Sequence, residues 1–189
     1  YIKFYKCVFA FFLMMRPNKD IMRYLGYRRD LIGRRLDLET LDKDLYVSGV
    51  DEDGRYFSRR GEVFEDLRVG MWTSLNRRID QDFIDLTARA TGDYNRIHVD
   101  PEYARNDIFG KTIAHGVGSI GGASSALIGM HLPGEGTLLK NFHFVFSAPI
   151  LVDSDTTTYA IVTELSENRP DAIVQGATFV NYADRDDVF

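Results

Sequence analysis

The chain opens on a short apolar run and crosses a charged, weakly periodic stretch. From Glu62 onward it settles into regular patterns. Residues Gly61–Met71 suggest a turn leading into a strand, and Met71–Ile79 reads as that strand. Gln81–Ala90 carries Phe83, Leu86, Thr87 and Ala90 at helical spacing. Asp80 before it suits the N-cap, where a carboxylate accepts from the free N–H groups of the first turn. Gly92 sits where glycine ends a helix. A second helix is predicted over Thr112–Met130, with Val117, Ile120, Leu127 and Ile128 near one stripe. Gly116, Gly118, Gly121, Gly122 and Gly129 oppose it, each interior glycine costing about 1 kcal/mol relative to alanine. Close packing must compensate, most simply through a sheet curling round the helix. Pro133-Gly134 closes it. Three strand-like runs follow: Leu138–Ala148, with Phe142, Phe144 and Phe146 opposite Asn141, His143 and Val145, then Thr156–Leu165 and Ala172–Ala183. Turns are predicted at Pro149–Asp155 and Glu167–Asp171. This order of elements predicts an α+β fold with an antiparallel sheet around a central helix, and argues against a doubly wound one.

At 189 residues the chain suits one domain, or one domain with an extension. Hydrophobic residues make up 44%, including 13 Phe and 10 Tyr, which supplies a sizeable core and excludes wholesale disorder. Residues 1–60 read as an N-terminal extension and residues 61–189 as the domain. Tyr1–Met15 looks superficially like a signal peptide, but the apolar run from Cys7 to Met15 falls well short of the roughly 20 residues needed to span a bilayer. No small-residue cleavage pattern follows it. It is expected to be an amphipathic or strand-like arm packed on the domain or on a partner subunit. Arg23, Arg28, Arg29, Arg34, Arg35, Arg59 and Arg60 give the extension a local positive excess, expected to be a solvated face rather than a phosphate contact. Short helical pieces are predicted around Asp20–Tyr27 and Asp37–Asp44, with a turn at Asp51–Gly54. A net charge of −5 gives no reason to expect nucleic acid, and no membrane span is expected. Cys7 is the only cysteine, which rules out an internal disulfide, disfavours a structural zinc site and points to a reducing, cytoplasmic setting.

The candidate chemistry is concentrated between Thr91 and Ser124. Asp93 and His98 lie five residues apart in a segment that reads as too irregular for a helix. Asp93 is placed just past a helix end, and His115-Gly116 opens the glycine-rich helix. A carboxylate and an imidazole on one turn can exchange a proton with a bound water. The free N–H groups and dipole of a helix start suit an oxygen that is gaining negative charge. Three other motifs fail. Gly116-Val117-Gly118-Ser119-Ile120-Gly121 matches the GxGxxG fingerprint but lacks the preceding parallel strand and βαβ unit that dinucleotide binding needs. Gly110-Lys111-Thr112 has Arg105 where a phosphate-binding loop needs its first glycine. His98 and Asp100 offer two metal ligands, but no neighbour in sequence completes a set, so no metal is expected.

The run Thr91-Gly92-Asp93-Tyr94-Asn95-Arg96-Ile97-His98-Val99-Asp100, continued by Tyr103-Ala104, Phe109 and Ile113-Ala114-His115-Gly116, resembles the signature of the MaoC-like dehydratases. These are the (R)-specific enoyl-CoA hydratases of the hotdog fold. The likeness is carried by Phe83–Ser124 and extends to about Glu62–Tyr182; residues 1–60 have no counterpart. The resemblance implies a hotdog fold, an antiparallel sheet wrapped around a central buried helix. It also implies a hydro-lyase that reversibly adds water to a trans-2-enoyl thioester. Asp93 and His98 would be the catalytic pair, Gly116 the N–H of the oxyanion hole, and Asn95 the residue that orients the loop. Ser124 would match a serine that hydrogen-bonds near the site, and His115 and Arg96 would be substrate contacts. The substrate would be carried by CoA or an acyl carrier protein, with no other cofactor, and the assembly would be a homodimer. Arg96 departs from the pattern by standing where the family has a loop-stiffening proline. It puts loop rigidity in question and offers a cation for an anionic substrate group. A non-catalytic hotdog subunit that binds acyl groups or supports a partner, and a hotdog thioesterase, are the alternatives.

Overall fold

In the computed structural model, the structure describes residues 5–9, 38–47, 64–144, 146, 148–167 and 171–180. The expected helix around Asp20–Tyr27, the turn at Asp51–Gly54 and all seven arginines of the basic stretch lie outside these residues.

Five strands, β1 (Tyr5–Phe9), β2 (Trp72–Ile79), β3 (Thr137–Phe142), β4 (Ser154–Leu165) and β5 (Asp171–Val180), form one sheet in the order β2-β4-β5-β1-β3. β2, β4 and β5 pair antiparallel, as expected, whereas β1 runs parallel to both β5 and β3. Part of the N-terminal arm is thus a strand of the sheet itself. The extension meets the domain again where Tyr46 bridges Trp72 at the start of β2. Of the short helical pieces expected around Asp37–Asp44, the described residues hold two 3-10 helices, at Leu38–Thr40 and Lys43–Leu45.

Four helical elements lie between β2 and β3. α1 (Gln81–Thr91) starts at Asp80, whose side chain accepts from the Phe83 N–H, and ends at Gly92 with φ 77°. Two short helices, α2 (Arg96–Val99) and α3 (Pro101–Arg105), come next. The long central element α4 covers residues 117–131. It is wound with i→i+5 bonds over Val117–Gly121 and Leu127–His131, and as a regular α-helix over Gly122–Ala126 between them. The helix begins later than expected because Thr112–His115 is not helical and pairs through Ile113 with Leu151. The Ala114 N–H donates to Ile150 O, and Thr112 O accepts from the Val152 N–H. β3 stops at Phe142, short of the predicted end at Ala148.

β4 alternates, burying Ser154, Thr156, Thr158, Ala160 and Val162 on one face. Ala160 and Val162 join Leu75, Ala172 and Val174 to form the floor on which α4 lays Ala123, Leu127 and Ile128. Burying a leucine or isoleucine this completely is worth about 1.5–3 kcal/mol. A smaller cluster of Ile79, Ile84, Ala114 and Ile150 anchors α1 to the end of β2 and to the extended segment before α4. The α4 glycines divide sharply. A Cβ on Gly116 would lie 2.7 Å from the Phe146 ring, and one on Gly118 would collide with the Thr87 methyl group. Gly129 has nothing within 4 Å, so close packing accounts for the first two only.

Candidate active site

The turn between α1 and α3 is built from side chains that cap backbone. Gly92 takes the left-handed conformation that ends α1, which directs the chain into Asp93. Asp93 Oδ1 accepts from the Asn95 N–H at 3.1 Å, and Asn95 Oδ1 in turn accepts from Ile97 at 3.4 Å. Asp100 Oδ1 then caps α3 by accepting from Glu102 and Tyr103. His98 therefore sits on a one-turn helix rather than in the irregular segment expected. Asn95 and Asp100 satisfy the N–H groups that so short a helix would otherwise leave open.

His98 Nδ1 lies 2.8 Å from Ile113 O. A carbonyl can only accept, so Nδ1 carries the hydrogen and Nε2 presents its lone pair. That Nε2 lies 4.0 Å from Asp93 Oδ2, too far for a direct hydrogen bond. The Asp93 side chain is about half exposed while that of His98 is largely buried, so the carboxylate lies on the solvent side of the imidazole.

Gln81, in the first turn of α1, steadies this arrangement from behind. Its amide N–H group donates to His98 O at 3.0 Å, and its Oε1 accepts from Thr112 Oγ1 at 2.7 Å. Sequence reasoning misses Gln81, Thr112 and Ile113, because their contributions run through backbone atoms or over separations of 15 to 31 residues.

His115 is 5% exposed and joins the pair directly. Its Nε2 lies 2.8 Å from Asp93 O and its ring centroid 3.9 Å from that of His98. Gly116 follows at the start of α4, and the space a side chain there would need is occupied by Phe146 rather than open. Ser124 is completely buried in α4, and its hydroxyl has no hydrogen-bond partner among the described residues.

Arg96 turns inward on its own loop. Nε and Nη2 donate to Asp100 Oδ2 at 3.0 and 2.8 Å, and the guanidinium lies 4.5 Å over the Tyr103 ring. The backbone N–H of Tyr103 and then the Arg96 side chain hold the Asp100 carboxyl below the usual carboxylate range. An i,i+4 ion pair stands where a proline would otherwise stiffen the loop.

Asp93, His98 and His115 also form a group whose donor atoms lie within 4.8 Å of one another. Two imidazoles and a carboxylate would suit a transition metal. Asp100, the partner for His98 suggested by sequence, faces away toward Arg96 and the α3 backbone.

The MaoC like domain family model matches residues 70–182, which contain every one of these side chains. The chain is 37% identical over 102 residues to the (R)-specific enoyl-CoA hydratase of Rhodospirillum rubrum, covering 54% of this chain and 70% of that one. It is 30% identical over 115 residues to the (R)-specific enoyl-CoA hydratase of Aeromonas caviae, covering 61% and 85%. The solved structure of an (R)-hydratase from A. caviae involved in PHA biosynthesis superimposes with a TM-score of 0.60 at 29% identity, covering 61% of this chain and 87% of that one.

Proposed function

The chain belongs to the MaoC-like domain family, and on that premise we propose that it is a hydro-lyase which reversibly adds water to a trans-2-enoyl thioester, giving the (R)-3-hydroxyacyl product. The observation that carries this reading is the setting of His98: Ile113 O holds Nδ1, so the basic Nε2 is directed toward Asp93 Oδ2 across a 4.0 Å gap. A water seated against both atoms gives one proton to Nε2 as its oxygen bonds to C3. Asp93 accepts a hydrogen bond from the O–H that the water keeps, orients it and offsets the charge of the imidazolium. The electron pair of the alkene moves onto the thioester oxygen, where the Gly116 N–H and the start of α4 face the developing charge. C2 then receives from the pair the proton that the water gave up. The pair ends as it began, and both new bonds form on one face of the alkene.

The acyl group would be carried by CoA or an acyl carrier protein, with no further cofactor, in a cytoplasmic homodimer. Among the described residues no helix is long and apolar enough to cross a membrane.

The test follows the loss of conjugated enoyl-thioester absorbance with crotonyl-CoA and with longer enoyl-CoAs. The wild type is expected to turn over at least one of them, and Asp93→Asn and His98→Gln each to lose about 10²–10⁴-fold in kcat. Folded wild-type protein that is silent with all of them sinks the hydratase and favours an acyl-binding subunit. Release of free thiol in place of hydration identifies a thioesterase.

A further inference from the structure

The geometry points to His115 as a positioning residue that holds the acid and the base in register, rather than as a contact to the substrate. This rests on the hydratase reading above. Three observations converge on one residue, two of them on its imidazole. Its Nε2 lies 2.8 Å from the main-chain oxygen of Asp93, so the nitrogen must donate, and it tethers the residue that carries the carboxylate. Its ring lies against His98 with centroids 3.9 Å apart and planes inclined by 30°, which limits rotation of the base. Its own carbonyl accepts from both the N–H and the hydroxyl of Ser119, at 2.8 and 2.7 Å, and so is fixed to the first turn of α4. Through its side chain this one buried residue links the Asp93 turn to the His98 ring, and through its carbonyl it is joined to the start of the helix that follows Gly116.

The arrangement leaves little of His115 for a substrate. The residue is 95% enclosed, the complement of its 5% exposure, and one ring face is covered by His98. Nε2 is engaged, and Nδ1 is buried without a hydrogen-bond partner among the described residues. The tether matters because the 4.0 Å separation between Nε2 of His98 and Oδ2 of Asp93 must accept one water and no more. The other hydrogen bonds of the turn to Asp93 are those of its carboxylate with the Asn95 N–H and of its own N–H with Thr91 Oγ1, the latter at 3.3 Å. Displacing reacting groups by about 1 Å can cost on the order of 100-fold in rate.

Three variants separate the two contacts. His115→Phe keeps a ring against His98 but removes the donor to Asp93 O. His115→Gln replaces the ring but can present an amide N–H to the same oxygen. His115→Ala removes both. The expected result is a kcat lowered about 10–100-fold in the Phe variant with KM within about threefold of wild type. The Gln variant should recover most of that loss and the Ala variant should be the slowest. A rise in KM at unchanged kcat overturns the proposal in favour of substrate contact. A Gln variant no better than Ala overturns it too.

A second measurement needs no turnover and covers variants that fail to fold. In the ring 15N–1H spectrum of the wild type, His115 should appear as the Nε2–H tautomer with a proton protected from exchange, and His98 as the Nδ1–H tautomer. An Nδ1–H or rapidly exchanging His115 overturns the proposal whatever the rates. Failure of the underlying hydratase reading would show differently, as a wild type that hydrates none of the enoyl thioesters while this spectrum is as expected.

Discussion

Gly118 and Gly129 stand on the same helix, yet an added methyl group meets a wall at one and open space at the other. At Gly118 the wall is the γ-methyl of Thr87, a buried residue whose hydroxyl donates to Phe83 O at 2.9 Å and so cannot readily turn away. Gly118→Ala is expected to destabilise the fold by about 1–3 kcal/mol, as overpacking does, despite the better helix propensity of alanine. Gly129→Ala should stabilise it by up to about 1 kcal/mol. Urea denaturation of the two variants checks the contrast, and adding Thr87→Ser to the first should recover part of its loss. Sequence reasoning treats all five glycines as equal liabilities, because which neighbour approaches each of them is a property of the packed structure. The proposed acid/base pair is easier to read, since Asp93 and His98 lie on one short turn whose caps are local. His115 stands out as an imidazole next to Gly116, but its proposed role depends on an oxygen 22 residues away.

At the level of elements, polar caps decide where the pieces begin. Asp80 Oδ1 accepts from the Phe83 N–H at 2.8 Å, and the first turn of α1 also carries Gln81, which holds the backbone of His98. Asp80→Ala should therefore cost about 1 kcal/mol of stability in thermal or urea melts. It should also lower kcat, because a frayed first turn loosens Gln81; an unchanged kcat would show that Gln81 holds without its cap. The strands β2, β4 and β5 and the helix α1 are legible from periodicity and propensity alone, because each buries one regular face. α2 is not, since four residues are too few to show a period and its existence depends on Asn95 and Asp100. The early end of β3 and the non-helical Thr112–His115 escape for a related reason. Pairing of the Ile113 segment with Ile150 and Leu151 competes with both predictions, and nothing local announces it.

For the molecule as a whole, the buried histidine at the end of α4 sets a pH dependence. His131 is 1% exposed, and burial holds its imidazole below the usual value of 6.5. His143 is shifted the same way by burial. The unfolded chain therefore takes up a proton near the usual value that the folded protein takes up only at lower pH. By linkage, stability is present above that value and falls as pH drops through it. The urea midpoint should decrease between about pH 7.5 and about pH 5.5, and His131→Leu should flatten the decrease. An equally steep decrease in that variant would assign the effect to other groups. The overall architecture, a sheet around a central helix, follows from the order of the patterned segments. The place of β1 within the sheet does not, because a lone apolar run carries no record of the strands it will join more than 120 residues later.

The junction at the start of β2 also has an optical consequence. Trp72 is the chain's only tryptophan. Its indole N–H donates to Asp42 O at 2.6 Å, and its ring lies 4.6 Å from that of Tyr46 and 6.1 Å from that of Tyr159. Two of these three contacts belong to residues 42–47 and the third to β4. Tryptophan emission from this protein is thus a signal from one seam, where the N-terminal region is joined to the sheet. Absorbance of an enoyl thioester reports instead, on the mechanism proposed above, on the turn that carries Asp93 and His98. Followed together, the two signals tell whether that seam can open while the chemistry continues.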